Sequence, residues 1–163
     1  MGEDKVLFID SEIDNFNRLK EIFNRSGYAL FFAPECKSAM PLLKSEKFDV
    51  IVIDYSLFSI NEVDCFKKIK EINFRTEIIL ISNPSDRDKM VRSMISGIFN
   101  YVEKPVDSTL LLIYIRRAFE KIKTINYFRN LKNIFSENIR PIIPGKFDLP
   151  QLMLQSAIHN VII

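Results

Sequence analysis

The sequence predicts an α/β fold built on a doubly wound, five-stranded parallel sheet. Five short apolar runs alternate along the chain with segments whose apolar residues recur at helical spacing. The runs are apolar at consecutive positions, which is typical of strands that are covered on both faces. The 163 residues are 47% hydrophobic and 27% charged, so the chain can bury a substantial core. Together these observations favour strands joined by helical crossovers.

The elements follow one another in a regular order. Strands are predicted close to residues 6–9, 29–32, 50–53, 78–81 and 99–102. Helices are predicted from about Asp14 to Gly27, at 36–44, at 63–69, from Ser85-Asp86 to Gly97, and from Asp107 or Ser108 onward. Five such βα units with right-handed crossovers fit the flavodoxin-like strand order 2-1-3-4-5, with an extended C-terminal helix.

The first predicted helix has a clear apolar face. Phe16, Leu19, Ile22 and Phe23 recur at the spacing of one helix face. We therefore expect these four side chains to form one apolar face of the helix.

Composition argues against several classes of protein. The net charge is only +2 and no dense basic stretch is present, so direct nucleic-acid binding is not expected. No apolar run is long enough for a membrane span, and the first residues do not resemble a signal peptide. Cys36 and Cys65 have neither metal-ligand spacing nor an evident partner. We therefore expect reduced thiols in a cytoplasmic protein.

Polar side chains follow the predicted strands at the edge where chemistry is expected. Asp10 follows the first strand, Asp54 the third, Ser82 the fourth, and Lys104 lies just beyond the fifth. In open α/β sheets the ligand site lies beyond the carboxyl ends of the strands. Two acids suit a hard cation such as Mg²⁺, and a lysine can neutralise the charge on a transferring phosphoryl group. Asp54 is the predicted nucleophile.

Four segments carry a family resemblance: KVLFIDSE, FDVIVIDYSL, EIILISN and YVEKPVD. They resemble the signature blocks of bacterial two-component response-regulator receiver domains of the chemotaxis-regulator type, and the match runs from about Lys5 to Lys123. The resemblance implies that Asp54 accepts phosphate from a histidine kinase or a phosphotransfer protein. It implies no enzyme activity beyond the chain's own phosphorylation and dephosphorylation.

The resemblance also implies roles for other residues. Ser82 is similar to the family's switch hydroxyl, and Tyr101 stands at the position of its rotating aromatic residue. Lys104 resembles the lysine that contacts the phosphate, with a cis bond to Pro105. The Mg²⁺ ligands implied are Asp10, Asp54 and the carbonyl of Ser56. The surface formed by the fourth predicted helix, the fifth strand and the last helix would carry the signal.

The sequence departs from the family pattern at the metal site and in the phosphoacceptor loop. Ser11 stands where the family usually has a second acid, and Glu12 is the nearest substitute as a metal ligand. Phe58 and Glu62 stand where proline and glycine are common. These departures weaken the expected metal affinity and leave open an alternative, a degenerate pseudo-receiver that acts as a phosphorylation-independent dimerisation or docking module.

Beyond the predicted receiver domain, residues 1–124, the helical pattern continues and is then broken by prolines. We expect residues 125–163 to be a helical extension or linker, or the start of a truncated output region. Apolar spacing in the last helix permits a homodimer through a two-helix seam. His159 is the only histidine, and it is a weak candidate for a phosphorylatable residue.

Overall fold

The computed structural model describes residues 4–58, 63–86 and 97–139. Its elements are, in chain order, β1 (Asp4–Ile9), α1 (Ile13–Arg25), β2 (Tyr28–Ala33), α2 (Cys36–Ser45), β3 (Val50–Asp54), α3 (Val63–Ile72), β4 (Glu77–Ser82), β5 (Asn100–Glu103) and α4 (Ser108–Ile139). Short 3₁₀ helices follow β3 and β4. Most of the helix predicted before Gly97 lies outside the described residues, as do Glu62, His159 and the rest of the predicted tail beyond residue 139.

The five strands form one parallel sheet in the order β2-β1-β3-β4-β5, as predicted. All residues of β3 and β4 are buried, whereas the edge strand β2 is mostly half-buried. The apolar runs of β3 and β4 are buried throughout because other parts of the chain cover both faces of these central strands, whereas the apolar run of the edge strand β2 stays partly exposed. This arrangement leaves the carboxyl ends of β1, β3, β4 and β5 side by side.

Helix α1 covers one face of the sheet through aromatic contacts. The Phe8 ring on β1 makes edge-to-face contacts with Phe16 and Phe23, each with ring centroids 5.8 Å apart. Leu19 is also buried, whereas Ile22, which was predicted on the same apolar face, is 39% exposed. Residues 16, 19 and 23 form a narrow stripe centred on the sheet, and Ile22 lies at its solvent edge.

The opposite face is covered in part by α2 and α3. Their buried residues form one apolar cluster with side chains from the strands. Within it, Cys36 of α2 and Cys65 of α3 form a disulfide, so the expectation of two unpaired, reduced thiols is wrong. The two residues are 29 positions apart and meet only because successive helices lie side by side on the sheet.

Two turns show how the sequence limits the helices. Gly27, just after α1, has φ of +81°, a conformation that favours glycine and ends the helix as predicted. At the start of α4, the carboxylate oxygen Oδ1 of Asp107 accepts the backbone N–H groups of Thr109 and Leu110, at 2.8 and 3.1 Å. Asp107 is thus the cap of α4.

Helix α4 extends across two compact units of the chain, which are residues 1–119 and 120–163. Among its apolar residues, Leu111, Ile115, Ala118 and Ile122 are all buried. The predicted domain boundary after residue 124 stays a prediction. Within the described ranges, no helix combines the length and the apolar character that crossing a membrane requires.

Candidate functional site

The predicted site residues stand at the carboxyl edge of the sheet. Asp10 directly follows β1, Asp54 is the last residue of β3, and Ser82 is the last residue of β4. Lys104 directly follows β5. Because neighbouring parallel strands end at the same edge, the sheet places these residues in adjacent positions.

Backbone hydrogen bonds extend the sheet ladder past the strand ends and fix two of these positions. The N–H of Lys104 donates to the carbonyl of Ser82 at 2.8 Å. On the other flank, the N–H of Asp10 donates to the carbonyl of Ala33, the last residue of β2, at 3.1 Å. The main chain therefore sets the positions at which Asp10 and Lys104 follow their strands.

The Asp54 carboxylate is the best-defined group of the site. It is 2% exposed, and the Lys104 ammonium Nζ lies 2.5 Å from its Oδ2. Its Oδ1 accepts the backbone N–H of Ser56 at 2.7 Å. Asp10 repeats this turn, since its Oδ1 accepts the N–H of Glu12 at 2.8 Å. Each acid is thus oriented by the backbone two residues further on, a contact that aspartates commonly make in turns.

The charge of Asp10 acts on the same ammonium. Burial lowers the pKa of Lys104, but the hydrogen bond and charge of Asp54, with the charges of Asp10 and Glu12, outweigh burial and raise that pKa above its ordinary value of 10.5. Asp10 is itself only 4% exposed. The predicted association of Asp54, Lys104 and Asp10 is therefore present.

The raised pKa gives a pH dependence with a definite sign. A lysine whose pKa is higher in the folded state stabilises the fold below its unfolded-state pKa, and the contribution is lost as pH rises through the folded-state value. We expect the difference in unfolding free energy between the wild type and Lys104→Met to be constant from neutral pH to about pH 10 and to shrink above about pH 10.5. Urea unfolding at a series of pH values measures this difference in unfolding free energy. A difference that grows above pH 10.5 would contradict a raised pKa of Lys104.

Ser82 contributes a hydroxyl that has no hydrogen-bond partner among the described residues. It is 1% exposed, and its Oγ makes no hydrogen bond with any part of the chain that the structure describes. Leaving a buried hydroxyl unsatisfied costs free energy, so this hydroxyl is available to bind a polar group that enters the site. At the end of β4, beside Asp54 and Lys104, the hydroxyl is placed to donate to an oxyanion.

The carboxylates at this edge of the sheet suit a Mg²⁺ ion that is held by only a few protein ligands. Asp10 and Asp54 supply two buried carboxylates, and Mg²⁺ is commonly held by one or two carboxylates with water completing its shell. Among residues 4–58, 63–86 and 97–139, no three acidic, histidine or cysteine side chains are grouped so that they could hold a metal. Glu12 is exposed, as is Ser11. The roles predicted for Glu12 and for the carbonyl of Ser56 stay predictions.

Tyr101 lies on β5 and is half-buried against the apolar cluster that contains residues of α2 and α3. Packing against this cluster is enough to explain an aromatic side chain at this position. The switch role predicted for Tyr101 stays a prediction. The Lys104-Pro105 peptide bond is cis, as the resemblance implied.

The fold and the site together define a receiver-type α/β domain: a five-stranded parallel sheet with buried acids, a hydroxyl and a lysine at its carboxyl edge. The family model of the response regulator receiver domain matches residues 6–116, and the chain belongs to this family. The chain is thus a receiver domain of the kind found in two-component response regulators, as the signature segments indicated.

Individual relatives agree with this assignment. The chain is 24% identical over 107 residues to the sporulation initiation phosphotransferase F of Bacillus subtilis, covering 66% of this chain and 86% of that protein. It is 23% identical to the chemotaxis protein CheY of Pseudomonas aeruginosa, covering 68% and 94%. A solved receiver domain from Clostridium thermocellum is similar in fold, with a TM-score of 0.67, 24% identity, and coverage of 74% and 98%.

Proposed function

We propose that this receiver domain accepts a phosphoryl group on Asp54 from a phosphohistidine of a histidine kinase or phosphotransfer protein, and that phosphorylation switches a partner or output domain. The observation that carries the proposal is the buried Asp54 carboxylate, held 2.5 Å from the Lys104 ammonium. A purely structural ion pair would not account for the Ser82 hydroxyl at the same edge, which is buried and has no hydrogen-bond partner in the part of the chain that the structure describes.

The chemistry follows from these groups. A carboxylate oxygen of Asp54 attacks phosphorus, the new P–O bond forms, and the P–N bond to histidine breaks with its electron pair returning to the ring. The Lys104 ammonium offsets negative charge on the phosphoryl oxygens, and the hydroxyl of Ser82 donates a hydrogen bond to one of them. Water later hydrolyses the acyl phosphate. The chain catalyses only its own phosphorylation and dephosphorylation.

Mg²⁺ is part of the proposal. Asp10, Asp54 and the carbonyl of Ser56 would hold it, and when bound it supplies positive charge that lowers the repulsion between the carboxylate and the incoming phosphoryl group. Ser11 removes one acid from this set, so we propose that the affinity for Mg²⁺ is lower than a second carboxylate at that position would give.

The switch is proposed to act through Ser82 and Tyr101. Once phosphorylated, the domain offers Ser82 a hydrogen-bond acceptor, and a rearrangement of the end of β4 would reach the neighbouring strand β5, which carries Tyr101.

We place this function in the cytoplasm, without direct contact with membrane or nucleic acid. The homodimer through α4 also stays a prediction; its exposed Tyr127 and Phe128 are compatible with one.

The test is chemical phosphorylation of the full chain. Incubation with Mg²⁺ and acetyl phosphate is expected to add the mass of one phosphoryl group, and Asp54→Asn is expected to abolish the adduct because the amide is not a nucleophile. Intact-mass spectrometry measures both. Fluoroberyllate, which mimics the phosphoryl group, is expected to shift the backbone amide resonances of Ser82 and Lys104.

Asp107→Asn is the matched control, since it makes the same change at an exposed acid and asparagine caps helices as well as aspartate does. It is expected to be phosphorylated like the wild type. An adduct that persists in Asp54→Asn would reject Asp54 as the acceptor. No adduct and no resonance shifts in the wild type would favour the phosphorylation-independent docking module.

A further inference from the structure

Two cysteines are joined inside the apolar cluster that α2 and α3 form with the sheet. Cys36 is the first residue of α2 and Cys65 lies in the first turn of α3. They form a disulfide whose Cα atoms are 6.0 Å apart, within the usual range for such a bond. Their side chains are 7% and 2% exposed. The bond therefore ties two neighbouring helices together inside the core.

This bond is in the same apolar cluster as the residues that support the site. The cluster includes Ile9 and Ile53, which directly precede Asp10 and Asp54 in the sequence. It also includes Ala33, whose carbonyl accepts the N–H of Asp10 at 3.1 Å. A change in the distance between α2 and α3 thus acts on the packing directly behind both carboxylates.

We propose that Cys36 and Cys65 are a reversible redox pair whose oxidation state sets the rate at which Asp54 is phosphorylated. The effect on rate rests on the proposed function. In the oxidation, the two thiols lose two protons and two electrons and form the sulfur–sulfur bond, while a peroxide takes them up and is reduced to water. A dithiol reductant reverses the reaction by thiol–disulfide exchange. Because both side chains are buried, each reaction requires a transient separation of α2 from α3.

The coupling to the site is steric. Two thiol sulfurs in contact need about 1.5 Å more separation than two bonded sulfurs, and close-packed interiors transmit such displacements. The arrangement in which Lys104 contacts Asp54 is that of the oxidised pair. Reduction is therefore expected to disturb the strand ends at Ile9 and Ile53 and to slow phosphorylation.

The experiment compares the full chain after treatment with hydrogen peroxide and after treatment with dithiothreitol. Iodoacetamide is added in guanidinium chloride, so that the buried thiols are exposed to the label. Intact mass is then expected to show loss of two hydrogen atoms and no label after oxidation, and two labels after reduction. The initial rate of phosphorylation by acetyl phosphate and Mg²⁺ is expected to be about threefold or more higher in the oxidised protein, because small misplacements of reacting groups slow reactions.

The matched control is Cys36→Ala/Cys65→Ala, whose rate is expected to be the same under both treatments. Cys65→Ala alone gives the same comparison should the double variant fail to fold. Two labels after peroxide treatment would overturn the redox pair. Formation of the bond with equal rates in the two states would overturn its coupling to Asp54.

Failure of the proposed function gives a different result. In that case neither redox state gains a phosphoryl group, and the redox proposal is decided by backbone NMR instead. Reduction is then expected to shift the amide resonances of Asp10 and Asp54 in the wild type, and dithiothreitol is expected to leave them unchanged in Cys36→Ala/Cys65→Ala. Unchanged resonances in the wild type would overturn the proposal.

Discussion

Replacing Lys104 by methionine is expected to slow phosphorylation of Asp54 by acetyl phosphate roughly a hundredfold, the usual cost of losing one preorganised charge at a reacting group. The ammonium is 2.5 Å from Asp54 Oδ2, so the charge that it offsets lies on the nucleophile itself and on the incoming oxyanion. Methionine keeps the length of the side chain and removes only the charge and the donors. Initial rates from intact-mass spectrometry at a fixed Mg²⁺ concentration measure the effect.

Lys37→Met is the control, since Lys37 is exposed on α2, and its rate is expected to match that of the wild type. Loss of the ammonium also leaves a buried carboxylate unpaired, so Lys104→Met is expected to be destabilised by about 1–3 kcal/mol in urea unfolding. A quarter of the Lys104 side chain is exposed to solvent, so the expected loss of unfolding free energy is smaller than the loss from breaking a fully buried ion pair. An unchanged phosphorylation rate in folded Lys104→Met would refute its role at the phosphoryl group.

Asp10→Asn is expected to have opposite effects on stability and on metal binding. Asp10 and Asp54 are both buried at the ends of neighbouring strands, where their charges act on the same Lys104 ammonium, and two carboxylates that share such a site repel each other. Neutralising Asp10 is therefore expected to stabilise the metal-free protein by about 1–2 kcal/mol. The amide oxygen still accepts the N–H of Glu12, so the turn is retained. Affinity for Mg²⁺ is expected to fall at least about tenfold, because a charged oxygen ligand is lost.

Glu12→Gln is the matched control for Asp10→Asn. Glu12 is exposed, and its neutralisation is expected to change neither stability nor Mg²⁺ affinity appreciably. Isothermal titration calorimetry with Mg²⁺ and urea unfolding without it measure the two effects. A loss of affinity in Glu12→Gln as large as in Asp10→Asn would identify Glu12 as a ligand. A loss of stability in metal-free Asp10→Asn would contradict the repulsion between the two acids.

Most of the fold could be predicted because the central strands are continuous apolar runs. Residues 50–53 and 78–81 leave no alternating polar face, and the structure buries every residue of β3 and β4. The boundary of a helix face was harder to predict. Ile22 and Phe23 are adjacent, and spacing alone does not show how the helix is rotated on the sheet, which decides which of the two is buried.

The same limit explains why the cysteine pair was missed. Cys36 shares an inner face with Ala39 and Leu43, and Cys65 shares one with Ile69, so helical spacing could have placed both cysteines toward the sheet. Spacing within one helix does not give the distance to its neighbour, and that distance decides whether two thiols meet. By contrast, Asp10, Asp54, Ser82 and Lys104 could be placed because parallel strands end at a common edge.

The hydrogen bonds that carry the ladder past the strand ends have an evolutionary consequence. The N–H groups of Lys104 and Asp10 are held by carbonyls of neighbouring strands. The position of each of these residues is therefore set by the main chain and does not depend on its side chain. A mutation that exchanges one reactive side chain alters the reaction and leaves the architecture standing. Descendants of such a domain can therefore lose or regain a single reactive group while the positions of the others are kept.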